Sequence, residues 1–143
     1  KLWESNAIVT YLGERTHRLW PTDAEGKGRA AKWLFFEARH LSEPTGELWF
    51  NGYVARQMGR TPDTLAAEAA LKKCSRYLAV LNDHLGKDAW MLGGEYSLVD
   101  CCYGPVLDAF ALAGDYIEAY PALKAYLARI RERKAWRACA FKQ

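Results

Sequence analysis

Trp33, Phe36, Glu37 and His40 recur at three- and four-residue spacings, so on a helix all four share one face. An aromatic wall carrying one imidazole and one carboxylate suits a flat apolar molecule that bears a polar group. The same pattern also fits a helix whose Trp33 and Phe36 are core, whose Glu37 is a surface or interface charge, and whose His40 is simply satisfied or exposed. Tyr103, a polar-tipped aromatic later in the chain, suits a pocket edge or a core position with its hydroxyl satisfied. Glu4 and Ser5 stand at the start of a helical pattern. Unpaired N–H groups there attract an anion, and a serine there is equally a plain N-cap beside a solvated acid.

Other chemistries find no support in the residues. The four cysteines, Cys74, Cys101, Cys102 and Cys139, form no C-x-x-C pair, and His17, His40 and His84 are scattered, so no metal-ligand spacing arises. Cys101 and Cys102 point about 100° apart on a helix, so at most one faces the deepest core. Reduced thiols in the cytoplasm are the expected state. There is no phosphate-binding glycine loop, nucleophile elbow or internal repeat. A net charge of +3 calls for neither nucleic acid nor an anionic membrane. The basic run Arg129, Arg131, Arg133, Lys134 and Arg137 is interrupted by Glu132 and shares its helices with Leu127, Ile130 and Trp136, as a solvated face does. No apolar run approaches the ~20 residues that span a bilayer.

The elements that must position these residues read almost wholly as helix. With 143 residues, half of them hydrophobic and six of them tryptophan, one domain with a real core is expected. Helical spacing covers Ser5 to Glu14 with Ser5 as N-cap and Gly13 near its end as a stop, Gly28 to Ser42 up to a break near Pro44, and Thr45 to Met58. Thr61-Pro62 predicts the start of a long helix that Gly86 closes. Further helices are expected over Leu98 to Ala113, from Tyr120-Pro121 onward, and over Ala135 to Ala140. Lys1-Leu2-Trp3 reads as a strand end, and the chain as one cut at its N-terminus.

Ser97-Leu98-Val99-Asp100 is a capping box: the serine accepts from the N–H three residues on while the carboxylate reaches back to the cap. Tyr96 and Cys101 occupy staple-like flanking positions. The uncharged run after it marks a core helix, so Ser97 and Asp100 are assigned a structural and not a catalytic part.

Taken in order, these motifs resemble a known family. Glu4-Ser5-Asn6-Ala7-Ile8 followed by Tyr11-Leu12 is similar to the E-S-x-A-I-x-x-Y-L segment of glutathione transferases. The Leu19-Trp20-Pro21 connector, the capping box, and Tyr120-Pro121-Ala122-Leu123 with Ala125-Tyr126-Leu127 follow in family order. The resemblance implies an all-α, transferase C-terminal-like helical bundle over residues 22–143. Residues 1–21 would be the remnant of a thioredoxin-like α/β domain, a strand end plus a helix. It also implies glutathione as co-substrate, with no metal. Glu4 would meet the ammonium and Ser5 the carboxylate of its γ-glutamyl end, while Trp33, Phe36, Glu37, His40 and Tyr103 would wall a pocket for a hydrophobic electrophile.

The resemblance implies a homodimer, with Asn6 standing where many relatives carry a dimer-bridging arginine. The catalytic serine, tyrosine or cysteine would lie before Lys1, leaving this chain alone inactive. Two other functions stay open: a non-catalytic transferase-like interaction module, and a small helical ligand-binding protein without glutathione.

Overall fold

A computed structural model describes residues 1–139. Its elements are α1 (Ser5–Thr16), α2 (Ala24–His40), α3 (Ser42–Trp49), a π-helical turn (Phe50–Val54) that runs into α4 (Ala55–Gln57), α5 (Thr64–Leu85), α6 (Leu98–Ala113), a 3-10 turn (Asp115–Ala119), α7 (Pro121–Glu132) and α8 (Lys134–Cys139). The bundle is the all-α fold that the periodicity predicts. Residues 1–3 form no strand, because an isolated strand end has no ladder to join within the described residues. The last expected helix position, Ala140, lies outside them.

Local chemistry moves several boundaries. Glu4 and not Ser5 is the N-cap of α1, so Ser5 opens the helix. α1 runs past Gly13 to a left-handed His17, and Gly13 serves packing instead of stopping the helix. A methyl group on Gly13 would lie 2.5 Å from the Trp20 ring, so the indole seats directly on the helix backbone. The Trp20 indole donates to Glu14 at 3.0 Å, and Lys27 donates to the same carboxylate at 2.8 Å. These donors, Lys27 foremost, hold the Glu14 carboxyl below its ordinary range.

Asp23 caps α2 by accepting from Gly26 N–H at 2.8 Å, and Asp63 caps α5 by accepting from Ala66 N–H at 2.9 Å. α5 therefore starts two residues after the expected Pro62, because an Asx side chain caps better than a proline preorganises. Pro121 does open α7, where its missing N–H costs nothing.

α6 is the central element. It packs on α1, α2, α3 and α7, and its Tyr103, Leu107 and Phe110 are completely buried. Leu78 and Leu81 of α5 and Leu123, Tyr126 and Ile130 of α7 complete the core around it. No helix among the described residues is long and apolar enough to cross a membrane.

Candidate functional site

At the start of α1, Glu4 adopts φ 71 and ψ 117, a left-handed conformation that a side chain with a Cβ rarely holds. It is exposed, as is Ser5. No side chain caps this end of α1, so its first-turn N–H groups face outward with a hydroxyl and a carboxylate beside them. Strained backbone of this kind collects at ligand-holding sites.

Asn6 follows, and it works inside the chain. Its amide donates to the Leu34 carbonyl at 2.9 Å and to Glu37 Oε2 at 2.8 Å. Ser42 donates to the other Glu37 oxygen. Glu37 is thereby a buried, neutral-partnered clamp joining α1, α2 and the start of α3, and it faces α1 and not a pocket.

The predicted aromatic wall divides in the same way. Trp33 is buried, with Phe36 edge-on at 5.5 Å, the His84 ring tilted at 4.5 Å and the Lys32 ammonium 4.4 Å above it. Tyr103 is completely buried and donates to the Trp33 carbonyl at 2.8 Å. Burial, aided by the Glu37 charge, pushes the Tyr103 phenol well above its ordinary range, so it stays a protonated donor. Phe36 is half-buried against the core, between Trp33, His40 and Tyr77. His40 stacks on Tyr77 at 4.3 Å, at the edge of a cleft lined by Arg39, Glu43, Lys72 and Arg76. Of the four aromatic positions, Trp33 and Tyr103 thus lie in the core, Phe36 is half-buried against it, and His40 lines a polar cleft.

An apolar pocket lies elsewhere. Trp49 at the end of α3, Pro105, Ala109 and Leu112 along α6, and Trp136 and Cys139 on α8 enclose about 360 Å³. Its charged liner, Asp108, is held by Arg131 at 2.6 and 2.9 Å. The volume and lining suit a small aromatic guest. Sequence reading passed over these residues because no periodic pattern unites them. The one local signal was Pro105 inside a helix, where it removes a backbone hydrogen bond.

The capping box forms as predicted, in both directions. Asp100 Oδ2 accepts from Ser97 N–H and Oγ, each at 2.7 Å, and Oδ1 accepts from Met91 N–H at 2.9 Å and the Tyr126 hydroxyl at 2.8 Å. Tyr96 and Cys101 touch, with the hydroxyl 3.2 Å from the sulfur. Cys102 turns inward while Cys101 stays exposed.

The family model for the glutathione S-transferase C-terminal domain matches residues 64–129. Across 95% of its length the chain is 31% identical to glutathione S-transferase GstB of Escherichia coli K12, covering 65% of that protein. The chain is thus similar to glutathione S-transferases, with their C-terminal domain matched over residues 64–129. It is also 29% identical to the disulfide-bond oxidoreductase YfcG of Escherichia coli K12, over 94% of this chain and 60% of that one. It therefore spans somewhat less than two thirds of these curated relatives.

Among solved transferase structures, a family member from Pseudomonas fluorescens with two glutathione bound superposes with a TM-score of 0.79. The two are 27% identical, over 94% of this chain and 60% of that one. The fold likewise matches apo glutathione S-transferase III, with a TM-score of 0.83 at 24% identity over 96% of this chain and 66% of that chain.

Proposed function

We propose that this chain supplies the electrophile-holding helical domain and a glutathione-anchoring segment of a glutathione transferase. Residues 1–21 close a thioredoxin-like domain and residues 22–143 form the helical one. The observation that carries the reading is the start of α1: a left-handed Glu4 followed by an exposed Ser5 on an uncapped helix end. The Glu4 carboxylate pairs with the γ-glutamyl ammonium, and the Ser5 hydroxyl and N–H receive its carboxylate.

The glutathione sulfur then forms a bond to an electrophilic carbon, and the leaving group departs with the bonding pair while the thiol proton passes to solvent. The cavity between Trp49, Ala109 and Trp136 holds the apolar partner. No residue of this chain is assigned the activation of the thiol, and no metal takes part.

We also assign the protein a homodimeric state and a cytoplasmic location, the latter because all four cysteines are unpaired. Asn6 does not bridge subunits in this reading, since its amide is already committed to Leu34 and Glu37.

The test is retention of the full-length protein on immobilised glutathione, with loss expected in Ser5→Ala. Unchanged retention withdraws the Ser5 assignment. Similarity to the oxidoreductase YfcG favours a second reaction at the same site, in which two glutathione thiols are oxidised to their disulfide while a substrate disulfide is reduced to two thiols. Conjugation and disulfide-reduction assays on the retained protein separate the two. Retention with neither activity points to the non-catalytic interaction module.

A further inference from the structure

Next to the residues that line the apolar cavity, the π-helical turn and α6 approach each other closely. A methyl group added to Gly52, in the π-helical turn, would lie 2.8 Å from both the carbonyl carbon and the Cα of Ala113, and closer still to its oxygen. The turn therefore rests its backbone directly on the last residue of α6, which only glycine permits. Backbone cannot yield there as a flexible side chain would. One turn earlier on both helices the situation reverses. Trp49, three residues before Gly52, and Ala109, four before Ala113, both line the cavity.

The π turn joins these two points. An extra residue in the helical turn re-aims the side chains before and after it. This one keeps Trp49 toward the cavity and Gly52 toward Ala113. Asn51 fixes it in place: its amide donates to the Glu47 carbonyl at 3.1 Å, and its carbonyl accepts from Asp63 N–H at 3.0 Å, which ties the turn to the cap of α5.

We infer that the Gly52–Ala113 contact and the Trp49 wedge together set the size limit for the apolar molecule this cavity accepts. Gly52 is a positioning residue and Trp49 a wall. The inference rests on the cavity being the apolar-ligand site, and it adds which residues decide how large that ligand is. Neither residue lies in the Glu4–Ser5 segment, so glutathione retention is expected to survive their substitution.

The experiment measures affinities of the full-length protein for benzyl alcohol, 1-naphthalenemethanol and 1-pyrenemethanol, following tryptophan fluorescence. Wild type is expected to bind the one- and two-ring probes and to discriminate at least tenfold against the four-ring probe. Gly52→Ala, which forces the helices apart, is expected to shift the four-ring to two-ring affinity ratio about tenfold toward the larger probe. Trp49→Leu, which thins the wall and does not strain the contact, is expected to shift it the same way, and it carries the test if Gly52→Ala does not fold.

A merely structural role would weaken all three probes together, so an unchanged ratio in the folded variants overturns the inference. Ala109→Trp, which fills the cavity, separates the two claims. If wild type binds no probe, or if Ala109→Trp binds as wild type does, the cavity is not the apolar site and the inference falls with it. Loss of binding in Ala109→Trp upholds the site and leaves the ratio to judge the contact.

Discussion

Tyr126 donates its hydroxyl to Asp100 Oδ1 at 2.8 Å across 26 residues of sequence, and both residues are completely shielded from solvent. A helix-start device is thereby wired into α7. Burial, reinforced by the neighbouring Asp100 charge, drives the Tyr126 phenol well above its ordinary range, so it remains a donor. The carboxylate meanwhile collects three other hydrogen bonds, from Ser97 N–H, Ser97 Oγ and Met91 N–H. Removing Asp100 leaves all of these donors unsatisfied in the core, and Asp100→Ala is expected to cost about 3–5 kcal/mol. Tyr126→Phe removes one bond to a charged acceptor and is expected to cost about 1.5–3 kcal/mol. Urea titration of both variants and of the pair checks this, and additive costs would show that the two residues do not work as a unit.

Ser97→Ala is a milder change. It deletes the hydroxyl but keeps the backbone N–H that Asp100 Oδ2 accepts. A loss of about 1 kcal/mol is expected, in the ordinary range for an N-cap, with activity per folded molecule unchanged in the full-length protein. A variant of normal stability and lost activity would overturn the structural assignment of the capping box.

Glu37 is expected to behave as a core residue. Glu37→Ala removes the acceptor for Asn6 and for Ser42 and leaves a void between α1 and α2, which should lower stability by about 2–3 kcal/mol. Binding of the naphthalene probe by the folded fraction should not change. Should that affinity drop tenfold at unchanged stability, Glu37 would belong to the ligand site after all.

The thiols divide by burial. At pH 8 iodoacetamide is expected to label Cys101 and Cys139 in the native protein, and Cys74 and Cys102 only after denaturation. Mass spectrometry of the labelled peptides reads the outcome directly. Burial raises Cys74 from 9.0 to about 11, and burial followed by the Glu37 charge raises Cys102 to about 12. Both thiols are neutral in the folded and unfolded chain below pH 9, so their contribution to stability is complete there. It is lost as pH rises from about 9 toward 11 and 12, because the unfolded chain releases these protons first. Denaturation at pH 8 to 11 should show a fall that is shallower in Cys102→Ala. Equal slopes would mean that Cys102 ionises alike in both states.

Much of the architecture was legible because it rests on contacts a few residues apart. The Ser97–Asp100 box, the proline that opens α7 and the fact that only one of Cys101 and Cys102 faces the core each follow from helix geometry alone. Where two local signals competed the outcome was less readable, as at Thr61-Pro62, where Asp63 took the cap. Gly13 carried the form of a helix stop, yet Trp20 needed its bare backbone as a seat.

The candidate sites show the same boundary. The order of motifs pointed to the family and to Glu4 and Ser5, since these sit in one continuous segment. Which face of α2 would be buried was a different matter. Trp33 and Glu37 share a helical face with Phe36 and His40, but α1, α6 and the His84 ring claimed the first two, Phe36 packed half-buried against Trp33, and His40 alone was left at a charged cleft.

The sequence by itself determined the helices, their caps and the family's order of motifs, because backbone hydrogen bonding and capping act within a turn or two. Only the tertiary structure decided where an apolar cavity would open. Its walls come from α3, α6 and α8, through Trp49, Pro105, Ala109, Leu112 and Trp136, residues far apart in the chain that only the packing of these helices brings together.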